Sequence, residues 1–179
     1  NRDGMANGGF TDSSTPVLVS GGLVWASVSV GRRHTVGLTT DGKAYSWGQN
    51  HDGQLGSWTA AIVEKSNDPV LVAGGHTWAS VVAGNDHTVG LTTAGEAYAW
   101  GRNEYGGLGN GTVESTYDRD PVLVLGGHTW AQVAGGGEMS AGVTTDGDLY
   151  TWGWNRYGQL GDGTTDTRVA PVLVNGGRE

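Results

Sequence analysis

The chain of 179 residues carries 34 glycines, 4 prolines and no cysteine, and its formal net charge is −8 with 10 Lys plus Arg against 18 Asp plus Glu. The missing cysteines exclude disulfides, thiolate metal sites and cysteine nucleophiles. The acidic balance argues against a nucleic-acid partner, whose affinity comes from counterions released around basic side chains. With no long apolar run and no helical period, the sequence reads as all β, without membrane insertion or a signal-peptide core.

Taken in order, Asn1 to Thr15 forms a partial repeat, because Asn1-Arg2-Asp3-Gly4 aligns with Asn155-Arg156-Tyr157-Gly158. A PVLV segment at Pro16 reads as a first short strand, and Gly21-Gly22 as the turn after it. A W-A-x-V strand opens at Trp25, and His34 to Gly56 then alternates in the manner of two antiparallel strands joined at Asp41-Gly42. Asp-Gly supplies the positive φ angles that a two-residue hairpin turn needs. The same order of elements returns from Pro69, Trp78 and His87, with its turn at Ala94-Gly95, and again from Pro121, Trp130 and Met139, with its turn at Asp146-Gly147.

The spacing of about 50 to 53 residues lies in the window of solenoids and propellers. Four strand candidates per period, one pair of them a hairpin, point to a propeller blade. Residues 16–68, 69–120 and 121–170 are read as three full repeats, and Pro171 to Glu179 as the start of a fourth. Units of this kind bury their cores by stacking. The two ends, Asn1 to Val19 and Pro171 to Glu179, are therefore expected to join this chain to further sequence or to other copies.

The pattern G-x-x-H-T-x-x-L-T-x-x-G-x-x-Y-x-W-G-x-N-x-x-G-x-L-G, read at Gly31 to Gly56 and Gly84 to Gly109, resembles the regulator of chromosome condensation repeat family. The third copy departs from it with Met139-Ser140 in place of His-Thr and Val143 in place of the leucine, and is expected to lack one hydrogen-bonded anchor. The resemblance implies a seven-bladed β-propeller, of which this sequence supplies about three and a half blades. Among members of the family, the exchange-factor branch uses basic residues and an inserted wedge, and this chain has no such insertion. The ultraviolet-receptor branch uses tryptophans at the second position of the G-x-x-H motif, where this chain has Arg32, Asn85 and Gly137. A secreted bacterial inhibitor branch clamps its target with face loops, and the acidic, cysteine-free repeats suggest a bacterial secreted or surface setting.

His34 and His87 recur at blade spacing and read as structural histidines bonded to backbone within each blade, rather than as a metal or catalytic set, since ligands must converge. His76 and His128 lie in GGHTW turns and read as surface residues. The phased tryptophans Trp25, Trp47, Trp78, Trp100, Trp130 and Trp152 are read as core or inter-blade packing. Trp58 and Trp154 fall outside the phase, as loop contact residues or local staples. Asn110-Gly111-Thr112 matches a glycosylation sequon.

No catalytic constellation or cofactor motif is present, and no metal or cofactor is expected. The leading expectation is a non-enzymatic binding scaffold whose rigid blades present variable loops, Ser57 to Asp68, Asn110 to Asp120 and Asp162 to Ala170, to a protein partner. Candidate partner-binding positions are Arg32, Arg33, Asn85, Asp86, Gly137, Glu138, Trp58, Tyr117, Trp154 and Arg156. Two alternatives stand beside it. One is an architectural unit that self-assembles into rings or filaments through its ends. The other is a hydrolase or lyase at the channel mouth, where Asp86 and Glu138 share the third position of the G-x-x-H motif.

Overall fold

The computed structural model describes residues 13–57, 64–113 and 118–176. These hold twelve strands and no helix, arranged as three antiparallel four-stranded sheets. The first blade is β1 (Trp25–Val30), β2 (His34–Thr39), β3 (Ala44–Gln49) and β4 (Lys65–Leu71). The second is β5 (Trp78–Ala83), β6 (His87–Thr92), β7 (Ala97–Gly101) and β8 (Asp118–Leu123). The third is β9 (Trp130–Gly135), β10 (Met139–Thr144), β11 (Leu149–Gly153) and β12 (Arg168–Leu173). In each sheet the strands lie side by side in chain order, and β5 lies against both β1 and β9, which makes the W-A-x-V strands the inner edge.

The blade differs from the sequence period by one strand. PVLV was expected to open each unit, whereas it closes the preceding one: Leu71 pairs with Tyr45, Leu123 with Tyr98 and Leu173 with Tyr150. The second hairpin arm offers a free edge to the chain that returns from the loop after it, and the apolar PVL segment takes that edge. Pro171–Leu173 therefore belongs to the third blade and does not open a fourth, and Pro16–Val19 forms no strand. Gly74-Gly75 and Gly126-Gly127 then carry the chain from an outer strand to the next inner strand. Asn1–Asp12 and Gly177–Glu179, parts of the ends expected to act as joints, lie outside the described residues.

The hairpin turns also differ from the two-residue form. Thr39 N donates to Lys43 O at 2.9 Å and Gly42 N to Thr39 O at 3.0 Å, which closes a three-residue loop of Thr40, Asp41 and Gly42. A type I turn followed by one left-handed residue requires glycine at its last position, and Gly42, Gly95 and Gly147 have φ of 80°, 83° and 88°. Each inner strand carries a bulge after its tryptophan, between Trp25 and Ser27 in the first blade.

The apolar core lies between blades. One cluster joins Val36, Leu38, Ala44 and Val72 of the first blade to Trp78, Val81, Ala83 and Trp100 of the second. The other joins Val89, Leu91, Ala97, Leu108 and Val124 to Trp130, Val133 and Trp152. Five of the six phased tryptophans are buried. Trp25, on the first inner strand, is half-buried and packs on Tyr45 and Trp47.

A hydrogen-bond clasp crosses each junction. Trp100 Nε1 donates to the Gln54 carbonyl at 3.1 Å, and the Thr88 hydroxyl donates to the same oxygen at 3.3 Å. One junction later, Trp152 Nε1 and the Ser140 hydroxyl donate to the Gly107 carbonyl at 2.9 Å and 2.8 Å. The hydroxyls are thereby left as acceptors, and His34 Nε2 meets Thr88 Oγ1 at 2.9 Å while His87 Nε2 meets Ser140 Oγ at 3.0 Å. Since each hydroxyl has spent its single proton on a carbonyl, both histidines are Nε2–H tautomers. The histidines are structural, as expected, but they bond a side chain of the next blade rather than backbone of their own. Met139, at the same position in the third blade, has no such donor. The tryptophan ring also comes close to glycine: a Cβ on Gly56 would sit 2.6 Å from Trp100 Nε1, and one on Gly109 would sit 2.7 Å from Trp152 Nε1.

His76 and His128, expected at the surface, are half-buried. Their rings lie 4.2 Å from those of Tyr98 and Tyr150, because the turn folds each histidine back over its own blade's aromatic pair.

Trp100→Ala should cost about 3 to 5 kcal/mol of stability, as large aromatic truncations in cores do, whereas Trp154→Ala should cost much less. Denaturant unfolding of the two variants decides this, and equal losses would show that the junction does not depend on Trp100.

Burial lowers the pKa of His34 to about 3, with His87 adding to the effect, and that of His87 to about 4. The unfolded chain binds protons at both residues below the ordinary value of 6.5. Their contribution is therefore fully present above that pH and is lost, by up to about 1.4 kcal/mol per pH unit and residue, as the pH falls towards the folded values. Between pH 6 and 5, where ordinary carboxylates titrate little, stability should drop in the wild type and drop much less in a His34→Asn, His87→Asn double variant. Equal slopes in the two proteins would contradict this role for the clasp.

Candidate functional site

The loops between the first two strands of each blade, and those that follow the third, meet at one end of the propeller. Gln49 N donates to Arg33 O at 2.9 Å, Arg102 N to Asp86 O at 3.0 Å and Trp154 N to Glu138 O at 3.0 Å. Arg32 N also donates to Asn85 O at 3.2 Å, and Asn85 N to Gly136 O at 3.0 Å, so Arg32, Asn85 and Gly137 succeed one another along the inner rim, all exposed. Within each N-x-x-G loop the asparagine side chain fixes the turn. Asn50, Asn103 and Asn155 Oδ1 accept the amides of Leu55, Leu108 and Leu160 at 3.1, 3.1 and 2.9 Å.

That turn places the third residue of the loop against the next blade. Asp52 of the first blade acts electrostatically on Arg102 of the second, and Tyr105 of the second packs on Trp154 of the third with ring centroids 5.8 Å apart. Asp52 and Tyr105 hold equivalent positions, as do Arg102 and Trp154. One slot is therefore ionic at the first junction and aromatic at the second. Tyr157, the third member of the series, stands edge-on to Trp154 at 5.4 Å, is 76% exposed, and carries the Arg156 guanidinium 6.0 Å from its ring centroid.

Arg102 is the centre of the charged group. It pairs with Glu104, lies 3.7 Å from Glu138 Oε1 and 3.9 Å from Asp86 Oδ2, and the same Asp86 oxygen lies 3.9 Å from Arg32 Nη1. The Asp86 side chain is 8% exposed. Burial raises the pKa of Glu138 above the ordinary carboxylate value; Arg102 opposes this, while Asp86, Glu104 and Asp52 reinforce it. Asp52 is raised in the same way, by burial first and then by Asp86, against Arg102.

Sequence reasoning placed Arg32, Arg33, Asn85, Asp86, Gly137, Glu138, Trp154 and Arg156 among the candidates, and the structure puts all of them at this end. Arg33 Nη1 donates to Gln49 Oε1 at 3.4 Å. Trp154, read as a loop contact or a local staple, packs on Tyr105 and so staples the second and third blades together. Trp58 and Tyr117 lie outside the described residues. Asp52, Arg102, Glu104, Tyr105 and Tyr157 were not singled out, because the pairing that unites them runs between a loop residue of one repeat and the following repeat. Reading the N-x-x-G loops against the next repeat's post-hairpin position would have found it.

The carboxylates of Asp86 and Glu138 do approach one another, as symmetry suggested, but Arg102 stands between them as a shared ion-pair partner. No group of three or more His, Asp or Glu side chains among the described residues is arranged to hold a metal. The loop from Asp162, expected to be a variable edge, is closed upon itself. Asp162 accepts from the Thr164 hydroxyl at 2.8 Å and from Arg168 Nε at 2.6 Å, and these bonds, Thr164 first, hold its pKa down at about 2.

Models of the Regulator of chromosome condensation (RCC1) repeat match residues 41–91, 94–143 and 146–179, and a second model of that repeat matches 25–54, 78–106 and 130–159. The chain is 33% identical over 171 residues to the Arabidopsis thaliana ultraviolet-B receptor UVR8, covering 93% of this chain and 38% of the receptor. It is 34% identical to human protein RCC2 over 76% of this chain and 26% of RCC2, and 36% identical to the human E3 ubiquitin-protein ligase HERC2 over 78% of this chain and 3% of the ligase. The chain thus spans well under half of each of these relatives. Yeast RCC1 (Prp20), solved with Kap60 bound, superposes with a TM-score of 0.75 at 25% identity over 84% of this chain and 37% of that one. Human WBSCR16 superposes with a TM-score of 0.79 at 24% identity over 93% of this chain and 42% of that one, a likeness of fold.

Removing the guanidinium with Arg102→Gln takes away the cation that lowers Glu138 and Asp52, so both carboxyl groups should titrate at higher pH than in the wild type. Side-chain carboxyl NMR titrations read this directly, and unchanged midpoints would mean that Arg102 does not govern the group.

Proposed function

Because the chain belongs to the regulator of chromosome condensation (RCC1) repeat family, we propose that it is a non-enzymatic protein-binding scaffold whose partner meets the loop end carrying Arg33, Arg102, Glu138, Trp154 and Tyr157. The observation that carries this reading is the junction slot. Rigid blades set Asp52 within electrostatic reach of Arg102 at one junction and pack Tyr105 on Trp154 at the next, and Tyr157 and Arg156 continue the series into solvent. Tryptophan, tyrosine and arginine in a fixed frame are the residue types on which protein interfaces concentrate binding energy. The similarity to a receptor, and to yeast RCC1 solved with a protein bound, supports the same reading. Photo-crosslinkers at positions 33 and 156 should capture a protein that a crosslinker at Asp146, on the hairpin-turn end, does not. Equal capture from both ends, or capture from the turn end alone, overturns the proposal.

A second reading rests on the first blade, where Trp25 is half-buried and Val28 and Val30 are 64% and 72% exposed. This sheet face suits a further blade-like surface, and a second copy of the chain offers one. Sedimentation at rising concentration should show association that Val28→Asp weakens; a strictly monomeric wild type would end this reading.

A further inference from the structure

Asn-Gly pairs occur at Asn7-Gly8, Asn110-Gly111 and Asn175-Gly176, of which the last two lie among the described residues. Such a pair has a chemistry of its own. The glycine nitrogen, screened by no β-carbon, attacks the asparagine side-chain carbonyl carbon and gives up its proton to solvent; the new carbon–nitrogen bond closes a succinimide ring, and the side-chain nitrogen leaves as ammonia. Water then opens the ring at one carbonyl or the other, giving aspartate or isoaspartate. The attack needs a glycine N–H that is not engaged in a hydrogen bond, because a bond made in the folded chain must first be broken.

The two described pairs differ in that respect. Gly111 N donates to Val169 O at 2.8 Å, a bond from the loop of the second blade to β12 of the third. The Asn110 side chain is held as well, its Oδ1 accepting from Asn103 Nδ2, Thr112 N and Thr112 Oγ1 at 3.1, 3.2 and 2.9 Å. Asp162 closes its own loop through the equivalent contacts, from Asn155 Nδ2, Thr164 N and Thr164 Oγ1 at 3.2, 2.9 and 2.8 Å, so this place in the repeat accepts an amide or a carboxylate. What the fold withholds at Asn110 is the nucleophile. At the other pair Asn175 is exposed and anchored through its backbone, N donating to Gly161 O at 2.8 Å, while Gly176 N makes no hydrogen bond among the described residues. Gly176 is exposed too, and a Cβ built on it would meet nothing within 4 Å.

We propose that Asn175 is a site of spontaneous deamidation in the folded chain, and that the junction between the second and third blades withholds the same reaction from Asn110. Reaction at Asn110 requires Gly111 to leave Val169, which opens that junction. Reaction at Asn175 opens nothing, and it leaves a carboxylate, or a main chain rerouted through the β-carbon, just after the outer strand of the third blade.

The test incubates the full chain at mildly alkaline pH, folded and in denaturant, and follows the mass gain from amide to carboxyl in the tryptic peptides 169–178 and 103–119, which carry the two sites separately. In the folded chain Asn175 should convert at least about tenfold faster than Asn110. Isoaspartate should appear in peptide 169–178, where labelling by isoaspartyl methyltransferase detects it. In denaturant Asn110 should catch up with Asn175, since both are followed by glycine. Equal rates in the folded chain, no conversion at Asn175, or a rate ratio that survives unfolding overturns the proposal.

Discussion

The structure depends on one repeated arrangement, a loop carbonyl that takes two hydrogen bonds from the next blade. Gln54 O and Gly107 O each accept an indole N–H and a hydroxyl, and each hydroxyl in turn accepts an imidazole N–H. All of these groups are buried, so an unmade bond would carry the full cost of an unsatisfied polar atom. The apolar clusters supply attraction between blades without direction, and the clasp supplies the direction. Its donors come from the hairpin of one blade and its acceptor from the loop of the blade before, which fixes how far each sheet is turned relative to the last.

The same loop that offers the carbonyl also builds the surface. In the first blade Asn50 fixes the turn, Gln54 supplies the clasp oxygen, and Asp52 comes within electrostatic influence of Arg102, all within one short stretch. Clasp and surface slot are therefore mechanically one unit. The buried half repeats almost without change, because its geometry tolerates little. The outward half varies from acid to tyrosine, because solvent and the neighbouring blade accept either a charged or an aromatic side chain there. Constancy below and variety above is how a stack of near-identical units acquires a distinctive face.

Charge is distributed in a corresponding way. Asp86 is almost covered beneath Arg32 and Arg102, while Arg33, Arg156 and Tyr157 stand towards solvent. A carboxylate in such a position holds guanidinium groups in place at the expense of its own hydration.

Much of the fold was legible because its causes are local. Alternation, Gly at the hairpin turns and phased tryptophans sufficed for antiparallel four-stranded blades, and the G-x-x-H-T pattern sufficed for the family. The division of the chain into units was not legible in the same way. PVLV lies next in sequence to the following W-A-x-V strand, yet its hydrogen bonds go back to the preceding hairpin, and pairing is decided by which edge is free in space. The histidines illustrate the same limit, since their recurrence marked them as structural but their partners lie one blade onward. For the site, the sequence by itself determined that Arg32, Arg33, Asn85, Asp86, Gly137, Glu138, Trp154 and Arg156 occupy loop positions, because residues that differ at one place of the repeat can be listed from the repeat alone, whereas Asp52, Arg102, Glu104, Tyr105 and Tyr157 were missed. The tertiary structure decided which of them act together: Asp52 with Arg102, Tyr105 with Trp154, and Asp86 with Glu138 around one guanidinium. Those pairs are separated by about a full repeat and meet because the clasp rotates one sheet onto the next.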